Sequence, residues 1–439
     1  MTTAAENEIL TRVGPGTPMG ELMRNFWLPA IASSELKSDG DPLRFKLLGE
    51  ELIAFRDSQG RVGVMDHRCP HRCASLFFGR NEEGGIRCVY HGWKFDVDGN
   101  CTDMANVPAH QDFKHKVHAK AYKSSERNGL IWVYMGDQSK IPDLPPIEVT
   151  LAPESEVMIE FLHRDCNWLQ GLEGELDTSH LGVLHYGAVK KLDDLDTQQV
   201  MNKYAVANRA PEYVIADTDY GFMYAAHRPA DEQNTYWRVG QFIFPCWAMA
   251  PINPFERNVL ARAYVPLDDE NTMIVMLHMK RAYLHDRYAE NPTLPGSSQR
   301  LRFKPNTTDA LGRYRLEENI ENDYKIDRNL QREGNYTGIN GITLQDQAVT
   351  ESMGRITDRT FEHLAPSDVA VNRMRRQLVK AANTLAKDGS VPKVASNPEI
   401  LNGVRDGAFM TPNGADWIKA YQESLENVTV RPDMAQAAE

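Results

Sequence analysis

Residues 66–99 read DHRCPHRCASLFFGRNEEGGIRCVYHGWKFDVDG. Two boxes stand out in this stretch: Cys69-Pro70-His71 and, after sixteen intervening residues, Cys88-Val89-Tyr90-His91. Each delivers one thiol and one imidazole from a tight loop. Two thiolates and two imidazoles satisfy either a tetrahedral zinc ion or a [2Fe–2S] centre with both cysteines on one iron and both histidines on the other. Spacing alone leaves both open. The surroundings are strand-like: FKLLG, ELIAFRDSQG and RVGVMD read as strand–turn–strand, and GLIWVYMGD as a buried closing strand. Residues 43–137 therefore predict a small all-β domain.

Working outward, the chain has 439 residues, with 49 Lys+Arg against 61 Asp+Glu, a net charge of −12, 13 His and 6 Cys. That length predicts two or three domains with cores large enough to need no disulfides. The acidic balance argues against general nucleic-acid or anionic-membrane binding, which demand basic surfaces. No apolar run approaches the roughly 18 residues of a membrane span. The first residues show neither the basic nor the apolar segment of a signal peptide, so a cytoplasmic location with reduced thiols is expected.

Residues 17–28 predict a short helix with Thr17 as N-cap and Pro18 in its first turn. The proline-rich run 140–146 suits a linker. Beyond it, 165–185 is helix-like, and GFMYAAHR, YWRVGQFIF, VLARAYVPL and MIVMLHMKR are strand-like. Helical patterns follow around 309–333, 346–354 and 367–387, the last with Ser367 as expected N-cap. Strands followed by helices without regular alternation predict an α+β fold. The expected division is an N-terminal helical segment at 1–40 packing with the C-terminal domain, a β domain carrying the Cys/His boxes at 41–140, and an α+β domain at 141–439. The tail after Pro432 is expected to fray.

The second chemical signal is Asn167-Trp-Leu-Gln-Gly-Leu-Glu173-Gly-Glu175-Leu-Asp177-Thr-Ser179-His180-Leu-Gly182-Val-Leu-His185. Glu173, Asp177 and His180 fall at i, i+4 and i+7, one stripe of a helix. His185 would lie round the helix unless Gly182 breaks it, which would let two imidazoles converge on one metal. Burying this many ionisable groups without a metal or partner is costly.

Taken together, the Cys-x-His and Cys-x-x-His-Gly-Trp boxes and the Glu173/Asp177/His180/His185 spacing resemble the Rieske non-heme iron ring-hydroxylating oxygenases. The likeness is closest to oxygenase (α) components of the phthalate dioxygenase type. It extends from Gly14 to near Arg373. The resemblance implies that Cys69 and Cys88 hold one iron of the cluster and His71 and His91 the other. It implies a mononuclear Fe(II) bound by His180, His185 and a distant aspartate as a 2-His-1-carboxylate triad. It makes Asp177 the bridge that couples this iron to the cluster of a neighbouring subunit. Among Asp323, Asp327, Asp346 and Asp358, the third ligand is expected to be Asp346, at the start of a helix. Asp358 opens a segment that reads as structural ion pairing. Respiratory-type Rieske proteins carry an extra cysteine in each box; here Val89-Tyr90 leaves Cys73 without that partner. Cys73, Cys101, Cys166 and Cys246 are therefore expected as buried free thiols, and His67, His110, His115 and His118 as structural or surface residues.

The implied activity is dioxygenation of an aromatic carboxylate of the phthalate or isophthalate class with O₂. No GxGxxG fingerprint, flavin signature or Cys₄ ferredoxin spacing is present. Electrons are thus expected from a separate NAD(P)H-dependent flavin/iron–sulfur reductase. The resemblance also implies a homo-oligomer, a trimer or a multiple of it. The strand region supplies Arg209, Arg228, Arg238 and Arg262; Arg209, Arg238 and Ser179 are the expected substrate contacts, with Phe242, Phe244 and Trp247 as ring-packing or core residues. A monooxygenase or O-demethylase of methoxyaromatic acids would use the same metals. An electron-transfer or zinc protein metallated only at the first site is the alternative from another class.

Overall fold

The computed structural model describes residues 2–186, 204, 207–251, 259–279, 301–426 and 428; the tail after Pro432 lies outside them. The N-terminal part begins with helices α1 (Ala4–Thr11) and α2 (Pro18–Arg24). Its strands are β1 (Trp27–Ala32), β2 (Leu43–Leu47), β3 (Glu50–Arg56), β4 (Val62–Asp66), β5 (Arg80–Glu82), β6 (Gly85–Arg87), β7 (Trp93–Phe95), β8 (Cys101–Met104), β9 (Ala121–Arg127) and β10 (Leu130–Tyr134). Six of these form an antiparallel sheet in the order β1-β10-β9-β4-β3-β2, and β5-β6-β7-β8 form a second sheet. Thr17 caps α2 through Gly20 N–H as expected, but the helix stops at Arg24. Trp27–Ala32 instead pairs with β10 as an edge strand, because its apolar WLPAIA run is buried on both sides rather than on one helix face.

The second part is organised around an eight-stranded antiparallel sheet. Its strands are β11 (Val157–Arg164), β12 (Glu212–Thr218), β13 (Gly221–Pro229), β14 (Asn234–Ile243), β15 (Trp247–Met249), β16 (Leu260–Pro266), β17 (Thr272–Met279) and β18 (Gly407–Pro412). The order is β11-β17-β16-β15-β14-β13-β12, with β18 beside β14. The helices of this part are α3 (Trp168–Leu176), α4 (Arg328–Glu333), α5 (Ile342–Ser352), α6 (Val369–Asp388), α7 (Lys393–Ser396) and α8 (Trp417–Glu426). The fold is thus a β-rich N-terminal unit joined to an α+β unit, as the pattern predicts.

One face of the large sheet carries α3. Gly171 lies so close to the Tyr264 ring that an added Cβ would sit 2.6 Å from it, and the Tyr224 hydroxyl donates to the Glu175 carbonyl. α6 lies beside α3 on that side, its Arg375 pairing with Glu173, and the other face meets α8, where Trp237 stacks on Trp417 at 6.2 Å between centroids. α6 buries Ala370, Met374, Leu378 and Ala382 at four-residue spacing; Met374 and Leu378 each contribute roughly 1.5–3 kcal/mol by burial. The helices α1 and α2 pack onto it. The shared core runs through Trp132 and Trp247, stacked at 5.7 Å, while the four-stranded sheet has its own core around Phe55, Trp93 and Phe95.

Several helix expectations change. The stretch 309–333 is not one helix: a 3₁₀ segment at Ile320–Lys325 has Asp323 and Tyr324 in the left-handed region, and only α4 follows. Ser367 is not the N-cap of α6; it sits in a 3₁₀ turn, and Asp368 takes that position. The segment after 390 supplies β18 as well as helices. Asp323, Asp327 and Asp358 do local work: Asp327 caps α4 and Asp358 accepts from Thr360, while Asp323 lies in the 3₁₀ kink.

Candidate metal centres

The two N-terminal boxes form a matched pair of loops. Cys69 N–H donates to Ala74 O and Cys73 N–H to Cys69 O; Cys88 N–H donates to Trp93 O and Gly92 N–H to Cys88 O. The fifth residue of each loop has positive φ, Cys73 at 60° and Gly92 at 77°. This corrects the expectation for Cys73: it is exposed, because its left-handed position at the loop tip turns the side chain away from the core. Cys101, Cys166 and Cys246 are buried free thiols as expected.

Cys69 and Cys88 are buried side by side. Burial pushes the Cys69 thiol up to about 12, with Cys88 adding in the same direction, while the His71 and Arg72 N–H groups favour its thiolate. The His71 and His91 rings approach edge to face at 4.4 Å, and His71 stacks on Trp93 at 4.3 Å. His91 Nδ1 is buried without a hydrogen-bond partner, which suits a ring nitrogen reserved for a metal. A tetrahedral zinc ion would gather all four donor atoms within about 4 Å of one another. Among the described residues, however, the only His/Cys/Asp/Glu donor atoms gathered in a group of three or more within 4.8 Å are elsewhere. Cys69, His71, Cys88 and His91 form no such group of three, which suits a centre shared between two irons better than one tetrahedral ion.

That compact group is His180, His185 and Asp346. His180 Nε2 lies 3.1 Å from His185 Nε2, and Asp346 Oδ1 lies 3.2 Å from His185 Nε2 and 3.8 Å from His180 Nε2. Bonds of about 2.1 Å at right angles place neighbouring donors about 3 Å apart, so the triangle fits three ligands on one face of a metal. Gln345 Nε2 donates to Ile339 O, which leaves Gln345 Oε1 to accept from His185 Nδ1 at 2.7 Å. His185 therefore presents a bare Nε2 lone pair to the centre. Asp177 Oδ2 lies 3.5 Å from His180 Nδ1 and orients that ring in the same sense. Two lone pairs 3.1 Å apart beside a carboxylate repel unless a cation lies between them.

The local chain path differs from the expected continuous stripe. α3 ends at Leu176, and Asp177 leaves the helix at ψ 104°. Ser179 N–H and Oγ–H both donate to Asp177 Oδ1, at 2.7 and 2.6 Å. This Asx-type turn competes with helical hydrogen bonding, so the break precedes His180 rather than falling at Gly182. Glu173 points away from the centre, onto the buried Arg359 and Arg375. Burial raises the Asp177 carboxyl, but His180 and Ser179 outweigh it and hold the pKa below the usual range. Burial opposes the His180 imidazolium, yet Asp177, Asp346 and Glu175 raise its pKa. Burial would raise Asp346, and His185 and His180 instead bring it down to about 2. α5 is anchored by Arg164, which donates to Thr350 and Thr343 O, and by Gln170, which donates to Thr350 O and Gly354 O.

The expected substrate contacts are separated. Arg238 is buried and donates from Nε to Thr178 Oγ1 at 3.0 Å. Arg209 is exposed, its guanidinium over the Tyr186 ring at 4.7 Å. The Ser179 hydroxyl is committed to Asp177, and Arg262 pairs with Glu175. Phe242 and Trp247 are core residues. Gln345, which holds His185, was missed in the sequence, although its place next to Asp346 was the available signal. No helix among the described residues is long and apolar enough to cross a membrane.

The β-rich unit with its paired Cys/His loops and the α+β unit with a 2-His-1-carboxylate triangle define a class. The Rieske [2Fe-2S] domain family matches residues 26–119, and the family described as LigXa C-terminal domain like matches residues 133–438. The chain belongs to the Rieske non-heme iron oxygenases, as an oxygenase component whose cofactors are a [2Fe–2S] cluster and a mononuclear iron. It is 45% identical over 433 residues to the 3-chlorobenzoate-3,4-dioxygenase oxygenase subunit of Comamonas testosteroni, spanning 98% of this chain and 100% of that one. It is 37% identical over 391 residues to the phthalate 4,5-dioxygenase oxygenase subunit of Pseudomonas putida, spanning 87% and 86%. In fold it resembles dicamba monooxygenase bound to dicamba, with TM-score 0.56 and 18% identity over 83% of this chain and 99% of that one. The zinc-protein alternative is set aside.

Proposed function

We propose that this oxygenase component hydroxylates an aromatic carboxylate of the halobenzoate or phthalate class, using O₂ and electrons from a separate NAD(P)H-dependent flavin/iron–sulfur reductase. The reading rests on the placement of the His180/His185/Asp346 centre over a sheet face with buried arginines, Arg228 and Arg238, in a chain that aligns end to end with a chlorobenzoate dioxygenase subunit. Cys69 and Cys88 would hold one iron of the cluster and His71 and His91 the other. His180, His185 and Asp346 would hold the mononuclear iron, which supplies O₂ activation when bound. Around it, Gln345 keeps His185 in the metal-binding tautomer, and Asp177 orients His180 and would act as the bridge to a neighbouring subunit's cluster that the family resemblance implies. That role requires a homo-oligomer, for which the family resemblance favours a trimer or a multiple of it.

The test is turnover of the purified holoenzyme with a reductase and NADH. 3-Chlorobenzoate, the three phthalate isomers and methoxybenzoates are offered in parallel, with oxygen uptake, peroxide and product mass recorded. One carboxylated ring should gain two oxygen and two hydrogen atoms with NADH consumed in step. Formaldehyde from a methoxybenzoate would favour O-demethylation instead. NADH consumption that yields only peroxide with every acid would refute the substrate class.

A further inference from the structure

Arg228 is 2% exposed on β13, yet its Nε and Nη1 have no hydrogen-bond partner. Most other buried arginines face glutamates: Arg24 faces Glu50, Arg313 Glu35, Arg359 and Arg375 Glu173, and Arg405 Glu148, while Arg164 and Arg238 donate to threonines. Arg228 has no carboxylate partner among the described residues, and its ring contact is the Tyr236 face at 5.9 Å. An uncompensated buried guanidinium is costly by several kcal/mol, and buried polar groups are otherwise almost always satisfied. Burial, followed by the neighbouring Arg238, lowers the Arg228 pKa to about 10.

Strand register explains what surrounds it. Arg228 is opposite Tyr236, and Ala226 is opposite both Arg238 on β14 and Tyr213 on β12. Because side chains alternate between faces, Tyr213, Arg228, Tyr236 and Arg238 share one face, with the small Ala226 at their centre. The Tyr236 hydroxyl is also buried without a partner, and the buried Tyr213 hydroxyl has only Ser179 within reach. Arg238 reaches Thr178, so this end of the face lies beneath the turn that leads into His180. Donors from three adjacent strands thus meet beneath this turn; Asp177 lies near Tyr213, but among the described residues no acidic side chain pairs with Arg228.

We propose that Arg228, with the Tyr236 and Tyr213 hydroxyls, is the carboxylate-recognition subsite of the substrate pocket. It would hold the carboxylate so that the aromatic ring lies toward His180, His185 and Asp346. The assignment rests on the aromatic-carboxylate reading above and moves the principal anion contact from Arg209 and Arg238 to Arg228. A guanidinium suits a planar carboxylate, and hydroxyl donors on either side add selectivity over a neutral ring, because they go unpaired when the anion is missing.

The test uses holoenzyme and calorimetric titration with 3-chlorobenzoate and its neutral analogue 3-chlorobenzamide. Wild type should prefer the acid. Arg228→Gln should weaken the acid by about 10- to 100-fold, the loss of one charge-assisted contact, and leave the amide within about twofold. Arg228→Lys should fall between the two. The melting temperature of ligand-free Arg228→Gln should equal or exceed wild type, because an unpaired buried charge has been removed. Unchanged acid affinity in Arg228→Gln would overturn the assignment, and so would a lowered melting temperature with acid and amide weakened alike, the signature of a structural role. Wild type that binds neither 3-chlorobenzoate nor any phthalate isomer, yet oxidises a neutral aromatic, would refute the underlying substrate reading and this subsite with it.

Discussion

Replacing Gln345 with leucine isolates the hold on the His185 ring. Gln345 is fully buried, accepts from His185 Nδ1 at 2.7 Å and donates to Ile339 O at 2.9 Å. Leucine keeps nearly the same volume and improves helix propensity by a few tenths of a kcal/mol, so packing changes little. What is lost is an acceptor that fixes the imidazole tautomer. An orphaned buried donor costs about 1–3 kcal/mol, and removing a partner of a metal-bound histidine typically weakens metal affinity by about 10- to 100-fold. The two estimates agree, since tenfold corresponds to about 1.4 kcal/mol. The assay is anaerobic removal of the mononuclear iron with a chelator, then Fe(II) back-titration in competition with a coloured chelator. The visible and EPR spectra of the Rieske cluster serve as an internal control. Fe(II) affinity should fall by about 10- to 100-fold with the cluster spectra unchanged. An affinity within twofold of wild type would refute the tautomer argument, and loss of the cluster signal alongside iron would show global damage instead.

Four further outcomes are expected. Asp346→Ala should lower iron from about three to about two per chain while keeping the cluster spectrum; full iron retention on elemental analysis would discard Asp346 as a ligand. Asp177→Asn should retain both metals yet abolish coupled turnover, and near-normal product formation would count against the bridge role. Arg359→Leu strands Glu173 with Arg375 as its remaining partner, so it should destabilise by about 3 kcal/mol, read as a lowered denaturation midpoint. Burial, opposed by Asp165, lowers the His163 pKa to about 4, so the folded state keeps it neutral where the unfolded chain binds a proton. Its contribution is fully present above about pH 6.5 and is lost as pH falls toward 4; His163→Gln should flatten stability between denaturation series at pH 7 and pH 5, and an unchanged slope would contradict this.

Much of the first site is legible because its donors are close in sequence. Cys69 and His71, and Cys88 and His91, occupy single loops whose turns are set by local hydrogen bonds. The position of the helix end was not legible: a stripe at i, i+4 and i+7 assumes continuity, whereas the Asp177 carboxylate takes the Ser179 N–H and turns the chain before His180. Glu173 belonged to the same stripe by periodicity, but two distant arginines claim it. Cys73 was expected inside because the second box offers it no disulfide partner, yet it is exposed at a left-handed position.

The amino-acid sequence by itself determined the donor chemistry, two Cys/His loops and a His180/His185 pair, and the division into β-rich and α+β parts. Those properties follow from neighbours a few residues apart, whose spacing the backbone dictates. Tertiary structure decided which distant groups meet. His185 and Gln345 are 160 residues apart, and only the packing of α5 against α3 brings Gln345 to the ring and Asp346 to the imidazoles. Strand register alone put Arg228 beside Tyr236 and in reach of Tyr213, without a carboxylate partner among the described residues, on the face that carries α3. In the sequence it was one arginine among four; burial without a counter-charge distinguishes it, and that is a property of the folded chain.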